Sequence, residues 1–258
     1  MSLKDCDYMP QRVAIVTRDL AEFDLRGHMA RIAELAESHR CDTVVHALWT
    51  EHRQAGARWV PPLNHYFGNT RVFPRYILHE TGNLEDSAAE SDVESDLLLE
   101  VWARDSKQPI KRVKIAFAKS AAHPEKKKQF VESFNRERLI SKKCGFIYCG
   151  EFNIIGTQRS SSKIRDEHNF MEKIKATRFL AVPTHRRPRR YEIKKKLQAM
   201  SVGRTVVTTW AIWSGHGRAK VPWQAFHHGR DVTDAIIEVP NTIRPDVRVG
   251  VLDLASLR

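Results

Sequence analysis

Long apolar runs and a leader-like N-terminus are both missing from this 258-residue sequence. No stretch approaches the roughly 18 apolar residues that a membrane-spanning helix needs, so we expect no membrane contact. Met1 to Cys6 contain no apolar segment of the signal-peptide kind, which predicts a cytoplasmic protein. We expect residues 1–10 to be disordered or derived from cloning.

Cysteine is scarce, with four residues in the chain: Cys6, Cys41, Cys144 and Cys149. None forms a Cys-x-x-Cys pair, and no histidine pair stands at zinc-finger spacing from them. These absences argue against a disulfide framework and a structural zinc site, and we expect no bound metal. The thiols are therefore available for chemistry.

Positive charge exceeds negative charge, with 43 lysines and arginines against 31 aspartates and glutamates and a formal charge of +12. Such an excess attracts nucleic acid, anionic lipid or acidic substrates, but it does not identify a function. The strongest basic run lies at residues 185–196 and contains four candidate anion-binding residues: Arg186, Arg187, Arg189 and Arg190. The alternative interpretation of this run is the solvated start of an amphipathic helix.

The order of predicted elements is typical of an α/β protein. Residues 12–17 form an apolar strand, residues 25–36 have helical spacing of apolar positions, and residues 42–49 form a second strand. Residues 51–100 look irregular, with an acidic surface loop near their end. Further strands are predicted at 97–103, 112–118, 145–155, 179–182, 205–212, 223–226, 235–239 and 247–254, and helices at 169–175 and 191–200.

Cys149 stands in the apolar run at residues 145–155, where a buried strand meets Gly150 and the acidic Glu151. A strand end would fix the sulfur, and a glycine lets backbone N–H groups approach a developing oxyanion. Cys149 is therefore the candidate nucleophile, with Gly150 and Glu151 as supporting residues. The alternative is a core cysteine, because cysteine is among the most buried residue types.

Two charged residues at the ends of other predicted strands would complete a mechanism. Glu51 follows the second strand, and Lys119 follows the strand at 112–118. A carboxylate can take the thiol proton and return it to a leaving amine, and an ammonium favours the thiolate and stabilises an oxyanion. Glu51 and Lys119 are therefore the predicted partners of the cysteine. Lys114 and Lys111 are alternatives for the lysine.

The order Glu51, Lys119, Cys149, each at a strand end, resembles the triad of the nitrilase, or carbon–nitrogen hydrolase, superfamily. The resemblance implies an α/β fold of the α-β-β-α sandwich type, built from residues 1–258 as a single domain. It also implies a helper role for Glu125, no cofactor, and a homodimer or larger homo-oligomer. The chain departs from the family in carrying Trp49-Thr50 before the glutamate, where members usually have proline.

We therefore expect a cysteine-dependent hydrolase of a non-peptide carbon–nitrogen bond, in an amide or nitrile, that acts through a thioester-type intermediate. Its partner would be a small substrate, with an anionic group if the basic run binds it. The alternatives are a basic nucleic-acid-binding protein or nuclease, and a hydrolase-fold subunit that has lost activity.

Overall fold

The computed structural model describes residues 7–18, 26–48, 76–81, 98–104, 106, 108–117, 123–158, 163–184, 191–212, 221–240 and 247–257. Within these ranges the strands are β1 (Arg12–Arg18), β2 (Thr43–His46), β3 (Tyr76–Thr81), β4 (Leu98–Ala103), β5 (Lys111–Lys114), β6 (Cys144–Phe146), β7 (Gly156–Thr157), β8 (Ile164–Arg165), β9 (Phe179–Ala181), β10 (Thr205–Thr209), β11 (Trp223–His227), β12 (Arg230–Asp231), β13 (Ile237–Val239) and β14 (Val247–Asp253). The helices in the same ranges are α1 (Arg26–Ser38), α2 (Pro124–Glu137), α3 (Phe170–Lys173) and α4 (Tyr191–Met200), with 3-10 turns at Glu151–Ile154, Thr233–Ala235 and Leu254–Ser256.

Two larger sheets organise the described part of the chain. The first sheet has the order β13-β14-β1-β2-β3-β4-β5, and the second has the order β12-β11-β10-β9-β6. Each sheet contains three neighbouring parallel strands: β1, β2 and β3 in the first, and β6, β9 and β10 in the second, where β6 is the edge strand. The protein is therefore a mixed α/β fold, as the order of predicted elements indicates.

The two sheets pack face to face through a first apolar cluster. It includes Val13 and Ile15 of β1 together with Phe146 and Val207 of the second sheet, all fully or almost fully buried. Alternate residues of the same strands point the other way, because successive side chains of a strand lie on opposite faces. Burial on both faces explains why β1 and β10 lack the alternation of apolar and charged residues that a half-exposed strand shows in the sequence.

Helices cover the outer faces of the two sheets. A second cluster joins Ile32 and Ala36 of α1 to the outer face of the first sheet. A third cluster joins helices α2, α3 and α4 to the outer face of the second sheet, through Phe130, Phe134, Phe170, Leu197 and Met200. Aromatic edges meet in this third cluster, where the rings of Phe134 and Phe170 lie 5.2 Å apart at 83°. No helix in the described residues is long and apolar enough to cross a membrane.

Strand β3 and helix α2 were not predicted from the sequence, and neither were the two-residue strands β7, β8 and β12. Strand β3 lies inside the region that was expected to be irregular. Helix α2 carries a run of charged residues and buries only Phe130 and Phe134, four positions apart, so its apolar stripe is too narrow to stand out. Its start is typical of a helix, with Pro124 at the first helical positions.

The segment before β1 packs against the rest of the protein from Tyr8 onward. Tyr8 and Pro10 are buried, although the segment 1–10 was expected to be disordered; residues 1–6 lie outside the described residues. The Tyr8 ring packs against Tyr76 with centroids 4.7 Å apart, and its hydroxyl pairs with Thr43. The hydroxyl of Ser141, just before β6, donates to the Tyr8 carbonyl. Tyr8 therefore joins the two sheets at the amino ends of their parallel strands.

Gly250 of β14 faces the Trp223 side chain of β11 in the second sheet. A Cβ atom there would lie 2.6 Å from Cγ2 of Ile236 and 2.9 Å from Cζ2 of Trp223. Because the Trp223 ring belongs to the first cluster, we expect Gly250→Ala to lower the free energy of unfolding by about 1–3 kcal/mol, measured by urea denaturation. Gly156→Ala is the control, since its nearest contact would be an ordinary 3.7 Å. Equal losses in the two variants would contradict this account of the packing.

Candidate active site at the carboxyl edge

Both sheets present the carboxyl ends of their parallel strands at one edge of the molecule, the carboxyl edge. There the N–H of Leu48, after β2, donates to the carbonyl of Thr184, after β9, at 3.3 Å. The Thr17 hydroxyl, near the end of β1, donates to the carbonyl of Trp210, after β10. Strand β5 ends at the same edge, because β5 is antiparallel to β4 and β4 is antiparallel to β3. Ligands of open α/β sheets bind beyond the carboxyl ends of the strands, so this edge is the candidate site.

Cys149 lies at this edge, in a turn beyond the end of β6. The strand ends at Phe146, earlier than the predicted strand, and the chain then bends at Gly150 into the 3-10 turn. The N–H of Ile147 still donates to the Ala181 carbonyl of β9 at 2.9 Å, so the start of the turn is fixed to the sheet. Cys149 itself is half-buried and packs against both the first and the third cluster.

The other described cysteines have a different environment. Cys41 and Cys144 are buried in apolar clusters. Burial raises the pKa of the Cys41 thiol to about 12, and it also raises the pKa of Cys144 well above its ordinary range. Thiols held neutral in this way are poor nucleophiles. Among the described cysteines, Cys149 is therefore the one placed to react with a ligand.

Glu151 is fully buried, and its carboxylate holds the turn together. One oxygen accepts from the N–H of Tyr148 at 2.9 Å, which closes the turn across Cys149 and Gly150. The other accepts from the N–H of Ala116 at 2.8 Å, in the segment that continues β5. The predicted supporting residue Glu151 is therefore bonded both to the backbone of the cysteine turn and to the backbone of the segment beyond β5.

Arg138, which follows α2 and is also buried, completes this arrangement. Its guanidinium donates to both carboxylate oxygens of Glu151, at 3.1 Å from Nε and 2.6 Å from Nη2. The same Nη2 donates to the Lys114 carbonyl at 2.9 Å. A bidentate pair of this kind has a fixed geometry as well as a favourable energy. Sequence reasoning missed Arg138, because it lies in a basic run that resembles solvated surface charge.

A lysine of α4 fixes the turn from its other side. The Lys196 ammonium donates to Oδ1 of Asn153 in the 3-10 turn, at 2.8 Å. Burial lowers the pKa of Lys196, and the nearby Lys127 lowers it further, while Glu192 raises it. Lys196 lies on the outer face of the second sheet, above the Phe152 ring. The turn that carries Cys149 is therefore held by side chains from α4 and from the end of α2.

The backbone next to the cysteine has a donor directed to no described acceptor. No described residue accepts a hydrogen bond from the N–H of Gly150. Gly150 is buried and stands at the start of the 3-10 turn, with φ −78° and ψ −30°. An amide in this position can stabilise negative charge that develops beside Cys149.

Several predicted site residues lie outside the described residues: Glu51, Lys119, Arg186, Arg187, Arg189 and Arg190. The last described residues before Glu51 and before the arginine run lie at the carboxyl edge, and the last one before Lys119 follows the segment that is bonded to the cysteine turn. Leu48, the last described residue before Glu51, is bonded to Thr184, the last described residue before the arginine run. Their roles stay predictions.

The alternative lysines are described and differ in their surroundings. The Lys111 ammonium donates to the Arg136 carbonyl of α2 at 2.6 Å. Lys114 is exposed, and its neighbours Val113 and Ile115 pack against the first cluster, so its side chain points away from that cluster. Beyond them Phe117 is buried in the third cluster, with its ring 5.4 Å from Phe130. The segment that leads to Lys119 therefore passes from the first cluster, at Ile115, to the third cluster, at Phe117. Cys149 contacts the same two clusters.

Glu125, the predicted helper, lies in the first turn of α2 and is exposed.

The described residues contain no group of three or more histidine, cysteine, aspartate and glutamate side chains that could hold a metal ion. His227 and His228 lie side by side, with ring centroids 4.1 Å apart, and Nδ1 of His227 is 2.9 Å from the Thr205 hydroxyl. Burial lowers the pKa of His227 and its neighbour His228 lowers it further.

No protein-family model matches the chain, and no curated protein does either. Solved structures do match in fold. A CN-hydrolase superfamily protein from Xanthomonas campestris, solved with an arsenic adduct in its active site, is 10% identical at a TM-score of 0.52, over 96% of this chain and 92% of that chain. A glutamine-dependent NAD+ synthetase from Cytophaga hutchinsonii is 10% identical at 0.54, over 97% of this chain and 44% of that chain.

A third match is a double mutant of the amidase from Nesterenkonia, with a glutamate changed to glutamine and a cysteine to alanine, in complex with acrylamide. It is 11% identical at a TM-score of 0.50, over 96% of this chain and 92% of that chain. At such low identity these likenesses establish the fold. The chain thus has the fold of the carbon–nitrogen hydrolases, and the resemblance found in the sequence is confirmed at that level.

Proposed function

We propose that this protein is a carbon–nitrogen hydrolase that cleaves a small amide or nitrile with Cys149 as its nucleophile. The observation that carries the proposal is the position of Cys149: a half-buried thiol in a fixed turn at the carboxyl edge, where the parallel strands of both sheets end. The three apolar clusters also support the finer description of the fold as an α-β-β-α sandwich in one domain.

The proposed catalytic residues divide the chemistry between them. Glu51 takes the thiol proton, and the Cys149 thiolate attacks the carbonyl carbon of the amide. Lys119 and the N–H of Gly150 stabilise the oxyanion of the tetrahedral intermediate. The intermediate collapses as Glu51 returns the proton to the departing amine, which leaves an acyl thioester on the cysteine.

Water completes the proposed cycle. Glu51, ionised again, takes a proton from a water molecule that attacks the thioester carbonyl. The second tetrahedral intermediate expels the thiolate, which recovers a proton, and a carboxylic acid is released. With a nitrile the first adduct is a thioimidate instead. Each step uses side chains and water alone, so the proposal needs no cofactor.

The arginine run suggests the substrate class within this proposal. It begins directly after Thr184, whose carbonyl accepts from Leu48 at the carboxyl edge. Arginines bind carboxylates through paired N–H donors, so the run would hold an acidic group at the far end of the substrate. The proposed substrate is therefore an amide that also carries a carboxylate. Family resemblance also supports a homodimer, which sedimentation would reveal.

Ammonia release tests this function on paired substrates. Succinamic acid and butyramide present similar chains, with and without a carboxylate, and both should be assayed beside the nitrile butyronitrile. We expect hydrolysis of succinamic acid to exceed that of butyramide in kcat/KM by about tenfold or more, the value of one charge-assisted contact. Equal rates would contradict the carboxylate preference. Absence of hydrolysis across a broad amide and nitrile panel would overturn the function.

A further inference from the structure

We propose that the buried Glu151–Arg138 pair is a positioning device, which holds the chain that leads to Lys119 against the turn that carries Cys149. This inference deepens the proposed function and rests on it for its catalytic meaning. Glu151 and Arg138 touch neither substrate nor reacting atoms in this account. They act through the two pieces of backbone that they join.

The bonds of the pair connect three separate parts of the chain. Glu151 accepts from Tyr148 N–H in the cysteine turn and from Ala116 N–H beyond β5. Arg138, at the end of α2, donates to the Lys114 carbonyl as well as to the carboxylate. The backbone on each side of Ile115 is thus bonded to one or the other member of the pair. Loss of either side chain would therefore weaken the same contact, the one between the cysteine turn and the backbone around Ile115.

The hydrogen bonds of the pair are buried. The side chains of Arg138 and Glu151 are 2% and 0% exposed, so water cannot replace a missing partner. A buried ion pair stabilises a fold little more than apolar residues of the same size would, which makes stability a weak reason for its presence. A fixed geometry between two reacting groups is a stronger reason, because a displacement of about 1 Å can cost on the order of 100-fold in rate.

Two substitutions of opposite charge separate positioning from simple electrostatics. Glu151→Gln removes a negative charge near Cys149, and Arg138→Gln removes a positive one. A through-space effect would make the thiol more reactive in the first variant and less reactive in the second. Positioning predicts the same direction in both, because each variant loses a bond between the cysteine turn and the backbone at Lys114 and Ala116, which leads to the proposed catalytic Lys119.

The readout is the rate at which iodoacetamide alkylates Cys149 at pH 7, followed by peptide mass spectrometry in a Cys6→Ser background. We expect both variants to react about tenfold more slowly, since a nearby ammonium favours the thiolate. In hydrolysis we expect kcat to fall roughly 10- to 100-fold while KM stays within about twofold. Faster alkylation in both variants, opposite changes, or no change would overturn the proposal.

Glu100→Gln is the matched control. Glu100 is also a buried glutamate, which accepts from Arg112 Nε at 2.7 Å and from Trp102 Nε1 at 2.8 Å. It lies on the outer face of the first sheet, because its neighbours Leu99 and Val101 face the first cluster. Its substitution should lower the melting temperature and leave both alkylation and kcat unchanged. A slowing equal to that of Glu151→Gln would show that loss of stability alone explains the effect.

If a single substitution prevents folding, the double variant Glu151→Gln with Arg138→Gln removes both charges and leaves no unpaired ion. It should still alkylate about tenfold more slowly than the wild type; a wild-type rate would overturn the proposal. The alkylation assay needs no substrate. A wild-type protein that hydrolyses no amide would therefore contradict the proposed function. The alkylation rates of Cys149 would still decide the role of the pair.

Discussion

Replacing Cys149 with alanine should abolish hydrolysis, with kcat reduced by at least about 10⁴-fold. The reason is chemical: alanine cannot form the thioester, and the remaining groups have no covalent intermediate to act on. The fold should survive, because Cys149 is only half-buried and alanine leaves its neighbours in place. Circular dichroism and the initial rate of ammonia release measure the two expectations.

Cys144→Ala is the matched control for this experiment. Cys144 is buried at the start of β6, five positions before Cys149 and on the same structural unit. Its loss should lower stability through the small cavity that it leaves, while kcat changes by less than about twofold. Hydrolysis that persists in the Cys149 variant, or that disappears in the Cys144 variant, would contradict the nucleophile assignment.

The second large effect is expected at Lys119. Replacing this lysine with alanine should lower kcat by about 10³-fold, the cost of losing one donor to a developing oxyanion. Lys111→Ala should leave kcat nearly unchanged, because the Lys111 ammonium already donates to the Arg136 carbonyl. Lys114→Ala should also have little effect, since its side chain is exposed and points away from the first cluster.

Steady-state kinetics on the three lysine variants gives a direct comparison. A loss confined to Lys114→Ala would move the role to Lys114 and leave the Cys149 assignment intact. Equal and small effects in all three variants would show that no lysine of this segment stabilises the intermediate. Melting temperatures should be recorded for each, since Lys111 also links β5 to the end of α2.

Much of the fold could be predicted because the spacing of apolar residues in the sequence matches the faces that the structure buries. β1 and β10 are runs of apolar and β-branched residues, and the structure buries them on both faces. Helix α4 shows apolar spacing through Leu197 and Met200, and its bounds are those predicted. Helix α2 was missed because charge dominates its composition and tertiary contacts of two phenylalanines decide its burial.

The candidate site was predictable in part. A cysteine at the end of an apolar strand is a local pattern, and the structure places Cys149 just beyond such a strand. Glu151 could be named as a neighbour, but its bonds to Ala116 and Arg138 join residues distant in sequence. A single sequence carries no signal for those contacts, because they depend on how β5 and α2 meet the turn in three dimensions.

The central claim, a covalent intermediate on Cys149, can be tested by trapping. Wild-type protein mixed with succinamic acid and quenched in acid within milliseconds should show a mass increase equal to the succinyl group on the peptide that contains Cys149. The increase should disappear after longer incubation, as water releases the acid, and it should be absent from the Cys149→Ala variant. Continued hydrolysis with no adduct at any quench time, or with the adduct on another residue, would contradict the claim.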